Sequence, residues 1–267
     1  MPVIGTRGNR AASGLGFNGD GFTPQALALF ARMSPTPSPS RKVLINQTIA
    51  ALIGAGVWTK LSMLKVQAAH SSQAALLNWV STSYPSSTVN SPTFTTDRGY
   101  AGDGVSSYVA SGYVPSADSN WTSTDHSFGR VLNTFAGGFD FGLFDNGASK
   151  YAYVNTSGLG TSVTVGDSGS TGTLQTISGQ THVTASRVSD SGYVLYSNGA
   201  FLATETVSGG SASSIEMRIG SVEVTYGGPS AYSASRVSAV YVGKGLTSGE
   251  ALALYTALQN YMTGVGA

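Results

Sequence analysis

The chain contains no cysteine, which removes disulfides and thiolate metal ligands and leaves its compartment open. Charge is scarce: 10% of residues are Asp, Glu, Lys or Arg, against a norm of about 25%, and the formal net charge is +1. There is no run of like charges. Without a basic stripe to neutralise phosphates, no nucleic-acid partner is expected. No apolar run reaches the ~18 residues of a membrane span. The longest, Ile49 to Trp58, carries Gly54 and Gly56, so no membrane insertion is expected. Met1 to Asp20 lack the apolar core of a secretory signal, so the chain is expected to be soluble and to reach its workplace without such export. Disorder goes with high charge and few aromatics. Here 41% of residues are hydrophobic and 10% aromatic, so the chain folds and draws its solubility from Ser, Thr, Asn and Gly.

What is present divides into three stretches. Residues 1–21 are rich in Gly and Asn with two arginines, and read as an extended arm ordered only by a partner. Residues 22–84 read as a helical leader. Thr23-Pro24 is a helix start, a hydroxyl N-cap followed by Pro at the first helical position, with Ala26, Phe30 and Met33 at helical spacing. The Pro-rich run at 35–39 breaks this helix. Ser40 is expected to cap a second one, whose Ile45, Ile49, Leu52 and Ile53 form one face and which Gly54 and Gly56 stop. Val57, Trp58, Leu61 and Leu64 continue an apolar face as a third short helix, with a strand over Met63–Ala68 as the alternative. A short helix over 72–80 follows.

From Pro85 the period changes from 3.6 to 2. Alternating runs recur from Thr93–Thr96 and Ser107–Tyr113 to Thr181–Val188, Tyr193–Ser197 and Val237–Val242, separated by Gly, Asn, Asp and Ser clusters. Asn198-Gly199 favours the positive φ values of a type I′ hairpin turn. About ten or more short strands in one stretch predict a two-sheet sandwich over 85–267. Thr247 and Ser248 then cap a closing helix, 247–263, whose Ala251, Leu252, Tyr255, Leu258 and Tyr261 form an apolar stripe.

The segment GYAGDGVSSYVASGY (99–113) resembles the G-x-x-x-[DN]-G-x-x-S-Y-V pattern of laminin-G/concanavalin-A-like sandwiches. The ending VSAVYVGKGLTSGEALALYTALQNYM (237–262) is similar to the last strand, turn and closing helix of concanavalin-A-like domains in tailed-phage virion proteins. Residues 23–80 resemble the helical leader of such proteins, including Gly-Val-Trp-x-Lys-Leu at 56–61. The resemblance implies a mainly β, concanavalin-A-like jelly-roll sandwich with an N-terminal helical leader and a C-terminal amphipathic helix. It also implies a bacteriophage structural protein on the virion surface, assembled in the host cytoplasm. A tail-fibre, tail-tip or other appendage role in host attachment is expected, with capsid decoration or a head spike as the alternative. The expected partners are other virion proteins, through residues 1–21 and the leader, further copies of the chain in a trimer, and a host surface glycan.

Chemistry is harder to find. Retaining glycosidases of this fold carry an E-x-D-x-x-E strand that sets alternate carboxylates on one groove. The four glutamates are Glu205, Glu216, Glu223 and Glu250, and where the motif would fall Arg218 follows Glu216. No enzyme is expected, and a depolymerase ranks last. His70, His126 and His182 sit in no nucleophile motif and make no metal box; His126 is placed in a polar loop and His182 in a strand, each as a surface or hydrogen-bonded residue. Asp103, Asp118, Asp125, Asp140, Asp145 and Asp167 lie in or beside expected loops. They could hold Ca²⁺, but turn formation is the preferred role and no cofactor is expected. Gly14, Gly16 and Gly19 spell a dinucleotide-binding pattern with no strand before it and no acidic residue between Gly21 and Thr96 to take a ribose hydroxyl. The positive hint is aromatic, because sugars stack on exposed rings. Trp121, in the polar stretch SADSNWTSTDHS, is the first candidate for glycan binding, and Tyr226 and Tyr232 come second. The competing account of Trp121 is packing beneath its own loop or at a subunit contact, and it holds a small advantage. Trp58 and Trp79 are assigned to the core.

Overall fold

The computed structural model describes residues 21–267, apart from 158–159, 168–169, 178–181, 208–210 and 225–230, and gives the backbone alone at 157, 160, 167 and 170–177. The arm therefore lies, except for Gly21, outside the described residues.

The helices start where hydroxyl caps and prolines place them. Helix α1 (Pro24–Phe30) has Thr23 accepting from the Ala26 amide. Helix α2 (Pro39–Gly54) is capped by Ser38, two residues before the expected Ser40. Pro39 causes the difference: it fits the first helical position, where no amide hydrogen is needed, so the run of prolines starts this helix as well as ending the previous one. The expected third helix is a single 3₁₀ turn, Trp58–Lys60, and the strand alternative holds instead as β1 (Leu61–Val66). Helix α3 is one turn, Ser72–Ala75, and α4 (Ser248–Val265) is closed at its start by a capping box between Thr247 and Glu250.

The remaining strands in chain order are β2 (Ser87–Val89), β3 (Thr93–Thr95), β4 (Gly99–Ala101), β5 (Tyr108–Tyr113), β6 (His126–Thr134), β7 (Gly138–Asp145), β8 (Lys150–Ser157) and β9 (Gly160–Asp167). They continue with β10 (Ser170–Ile177), β11 (His182–Arg187), β12 (Tyr193–Ser197), β13 (Ala200–Glu205), β14 (Met217–Ile219), β15 (Ser221–Val222), β16 (Ala231–Tyr232) and β17 (Arg236–Gly243). Asn198 and Gly199, both at positive φ, join β12 to β13 as the type I′ turn requires.

Two sheets form the sandwich. One runs β13-β12-β11-β6-β17-β4-β3, and the other β10-β9-β8-β7-β14-β5-β2, with antiparallel pairings throughout. Strand β1 pairs with β17, Leu64 opposite Tyr241, on the edge that β4 also uses. The sheet thus crosses the boundary drawn at residue 84: the stretch read as a leader supplies one of its strands. The fold is a mainly β, concanavalin-A-like sandwich with a C-terminal helix.

Helices α2 and α4 pack together, with α4 lying on the outer face of the first sheet, where Tyr255 meets His182 at 5.5 Å between ring centres. That sheet is covered on both sides. Its strands β6, β11 and β17 are accordingly buried almost end to end, including Ser127, Thr184, Ser186 and Ser238. Alternate residues face alternate layers. In β11, His182 and Thr184 turn toward the helices and bond the Tyr241 hydroxyl at 2.7 and 2.6 Å. Val183, Ala185 and Arg187 turn toward the second sheet.

Candidate functional site

Strands β6, β11 and β12 of the first sheet and the hairpin tip between β7 and β8 of the second meet at one end of the sandwich. His126 opens β6, Arg187 ends β11 opposite it, and Tyr193 opens β12. Lys150 and Tyr151 open β8 on the other sheet. With Trp121 from the connecting loop, these six side chains wall a narrow cleft whose interior void is about 30 Å³. Antiparallel pairing brings them together from positions that are far apart in the chain.

The loop that presents Trp121 is tied down at both sides. Asp118 accepts from the buried Tyr113 hydroxyl at 2.7 Å and from the Asn120 amide at 3.0 Å. Asn120 reaches across to the Ser62 hydroxyl at 2.9 Å, and the Trp121 amide donates to the Asp118 carbonyl at 3.1 Å. The half-buried indole then stacks on His126, with ring centres 4.1 Å apart and planes 13° from parallel. Phe128 and Tyr113 flank it at 6.1 and 6.3 Å. The indole thus packs beneath its own loop and also lines the cleft. Such a ring needs little ordering when a ligand arrives.

His126 lies in no exposed loop. It is buried, its Nδ1 is 2.6 Å from the Thr122 carbonyl and its Nε2 meets the Tyr193 hydroxyl. A carbonyl only accepts, so Nδ1 carries the hydrogen and Nε2 accepts from the tyrosine. Burial pushes its pKa down to about 3, with the Arg187 charge acting in the same direction. At neutral pH this imidazole is uncharged and both of its nitrogens are occupied. His182 is likewise buried, with a pKa near 3 through burial first and Arg130 second.

The cleft's charge comes from two cations. The Lys150 ammonium donates to the Ser211 hydroxyl at 2.8 Å and the Ala212 carbonyl at 3.0 Å. Arg187, 1% exposed, donates to the carbonyls of Val207 at 2.9 Å and Asp190 at 3.3 Å, and its guanidinium sits 5.3 Å from the Tyr193 ring centre. The arrangement offers aromatic faces, hydrogen-bond donors and positive charge.

The other candidates lie elsewhere. Tyr232 is half-buried beside Tyr108, 6.3 Å between ring centres, at the opposite end of β5 from Tyr113 and hence from Trp121. There the Arg218 guanidinium covers Tyr108 at 4.6 Å and pairs with Glu223 at 2.7 Å. Tyr226 lies outside the described residues. Trp58 and Trp79 are both core residues.

The aspartates separate by role. Asp103 accepts from the Val105, Ser106 and Ser107 amides as a turn residue, and those amides hold its carboxyl well below the usual range. Asp125 accepts from the Gly245 amide. Asp140 is not a loop residue: it lies within β7, fully buried, against Arg130. Asp145, at the end of β7, accepts from the Ser213 hydroxyl at 2.8 Å, and the side chain of Asp167 is outside the described residues. No group of three His, Asp or Glu side chains converges as metal ligands among the described residues. Sequence reasoning singled out Trp121 and missed its five neighbours. Arg187 did leave a signal, since it shares the core-facing parity of Val183 and Ala185.

No protein-family model matches the chain, and no curated protein matches it. Among solved structures it is similar to Trypanosoma rangeli sialidase in complex with sialic acid, at 13% identity and TM-score 0.53, over 81% of this chain and 39% of that one. A mutant of that sialidase displaying trans-sialidase activity matches at 13% identity and TM-score 0.51, over 82% and 39%. A structure of botulinum neurotoxin type C, whose cell entry depends on interaction with two ganglioside molecules, matches at 12% identity and TM-score 0.53, over 77% and 53%. What is shared is the fold. The chain spans 39% of the sialidase chains and 53% of the toxin chain, less than two thirds of either.

Proposed function

We propose that the sandwich is a carbohydrate-binding module and that saccharide lies across the mouth of the Trp121 cleft. The observation that carries this reading is the fixed indole, stacked on a neutral imidazole and flanked by Tyr151, Tyr193 and the cations of Lys150 and Arg187. A void of about 30 Å³ does not admit a sugar ring, so the ring sits on the rim and only its substituents enter. The similarity to the sialic-acid-bound sialidase and to the toxin supports the reading at the level of fold.

A glycan array followed by titration calorimetry on the intact chain tests it. Trp121→Ala is expected to weaken binding by about tenfold or more, on the order of 1.4 kcal/mol, with the circular dichroism spectrum retained. Tyr151→Ala, at the rim, should weaken it less. Binding that survives both substitutions unchanged would place the ligand elsewhere on the sandwich.

A second reading concerns the setting. The likeness of 99–113 and 237–262 to tailed-phage domains, together with the low charge, favours a virion appendage that presents this module to a host surface. The arm and the α1–α2 region would attach it to neighbouring subunits. Mass spectrometry of purified particles should then find the chain in stable copies, and its absence would remove this reading while leaving the module's binding role intact.

A further inference from the structure

Arg187 is a buried cation without a described counter-ion. Arg41, Arg130 and Arg218 each pair with a carboxylate, Asp97, Asp140 and Glu223 respectively. No described carboxylate lies within 4.0 Å of Arg187; its two terminal nitrogens reach only backbone carbonyls, and its Nε, also buried, has no partner. A guanidinium does not deprotonate in a protein, so neutralising itself is not open to it. Burying a charge this way is strongly unfavourable unless something compensates it.

The surroundings indicate what could. Arg187 lines the cleft, and so does Lys150, whose ammonium also has no described carboxylate partner. The neutral His126 adds no charge of either sign. The void of about 30 Å³ holds roughly two water-sized atoms, which is the space of the two oxygens of a carboxylate. A guanidinium is a planar fork that matches a carboxylate's geometry, and Arg187 is among the residues that line this space.

We propose that the cleft takes an acidic saccharide, a sugar carboxylate entering against Arg187 and Lys150 while its ring rests on Trp121. This rests on the carbohydrate-binding reading and narrows it to a substrate class. The shared chemistry is the carboxylate, and sialic and uronic acids are its two sources.

The experiment titrates the intact chain with sialyllactose, with an oligogalacturonate and with neutral lactose, at 50 and 300 mM salt. An acidic ligand is expected to bind at least tenfold tighter than lactose, with the preference shrinking at high salt. Whichever of the two acidic ligands binds tighter names the source. Lys150→Met should cut the ratio of acidic to neutral affinity about fivefold, and Arg187→Met should abolish the preference. A thermal melt accompanies each variant, because a purely structural Arg187 would lower the melting temperature and leave the acidic-to-neutral ratio unchanged. Equal affinity for acidic and neutral sugars overturns the inference and leaves the carbohydrate-binding reading standing. Binding to nothing on a broad glycan array overturns both.

Discussion

His126 and His182 both sit where a charge is unwelcome, and each has a folded-state pKa lowered to about 3 by burial. An unfolded histidine titrates near 6.5. Between those values the unfolded chain binds two protons that the folded chain refuses, so stability is complete above about pH 6.5 and falls as pH drops toward 3. The melting temperature is expected to decline already between pH 6.5 and 5, above the range in which ordinary carboxylates titrate. His182→Gln, which retains a donor and acceptor toward the Tyr241 hydroxyl, should flatten part of that decline. A melting temperature constant from pH 7 to 5 would show that the imidazoles are not the acid-sensitive groups. The same residues mark how far reading single positions reaches. Trp121 stands out as an indole in a polar run. His126 and Tyr193 do not, because their significance comes from a contact between residues 67 apart.

At the scale of elements, the period-2 runs and turn pairs locate most of the strands, and the hydroxyl caps locate the helices. The strand β1 escaped a firm assignment because LSMLKV, buried along its whole length, has neither clear period. Strands β6 and β11 were placed, but their double burial was hidden: Ser-Phe-Gly-Arg-Val and Thr-Ala-Ser-Arg are too polar to read as covered on both faces. What permits that burial is small residues beneath large ones. At Gly129 in β6, an added Cβ would lie 2.2 Å from the Tyr241 hydroxyl oxygen, which bonds His182 and Thr184. Gly129→Ala is therefore expected to destabilise by about 1–3 kcal/mol through overpacking, read as a lower urea midpoint at unchanged slope. Tyr241→Phe in the same background should not recover the loss, because the added Cβ still meets the ring Cζ and the Val183 carbonyl oxygen, each at 2.4 Å, and the buried His182 and Thr184 lose a partner. No loss in the single variant would mean that β17 shifts freely over β6, contrary to the pairing that sets Tyr241 opposite Gly129.

For the molecule as a whole, the two sheets are held by more than apolar packing. Arg130 of β6 spans the inter-sheet space to Asp140 of β7 at 3.3 Å, and also donates to Thr161 of β9 at 2.9 Å and Thr156 of β8 at 3.3 Å. Asp140 in turn accepts from the Ser233 hydroxyl at 3.0 Å. Arg130 and Asp140 are both fully buried, so removing one charge strands the other. Asp140→Asn is expected to cost about 3–5 kcal/mol by urea denaturation, whereas Arg130→Met with Asp140→Leu should cost much less than the sum of the two single changes. Arg187 faces the same inter-sheet space nearer its open end, and the contrast between the two arginines is the sharper test. Arg187→Met leaves no described carboxylate stranded, only the Val207 and Asp190 carbonyls. It should therefore be tolerated far better than Arg130→Met, within about 1–2 kcal/mol of the parent. A loss for Arg187→Met as large as that for Arg130→Met would assign both guanidiniums to holding the sandwich together. A small loss means that the fold does not require the charge at the cleft, and leaves it free for a ligand.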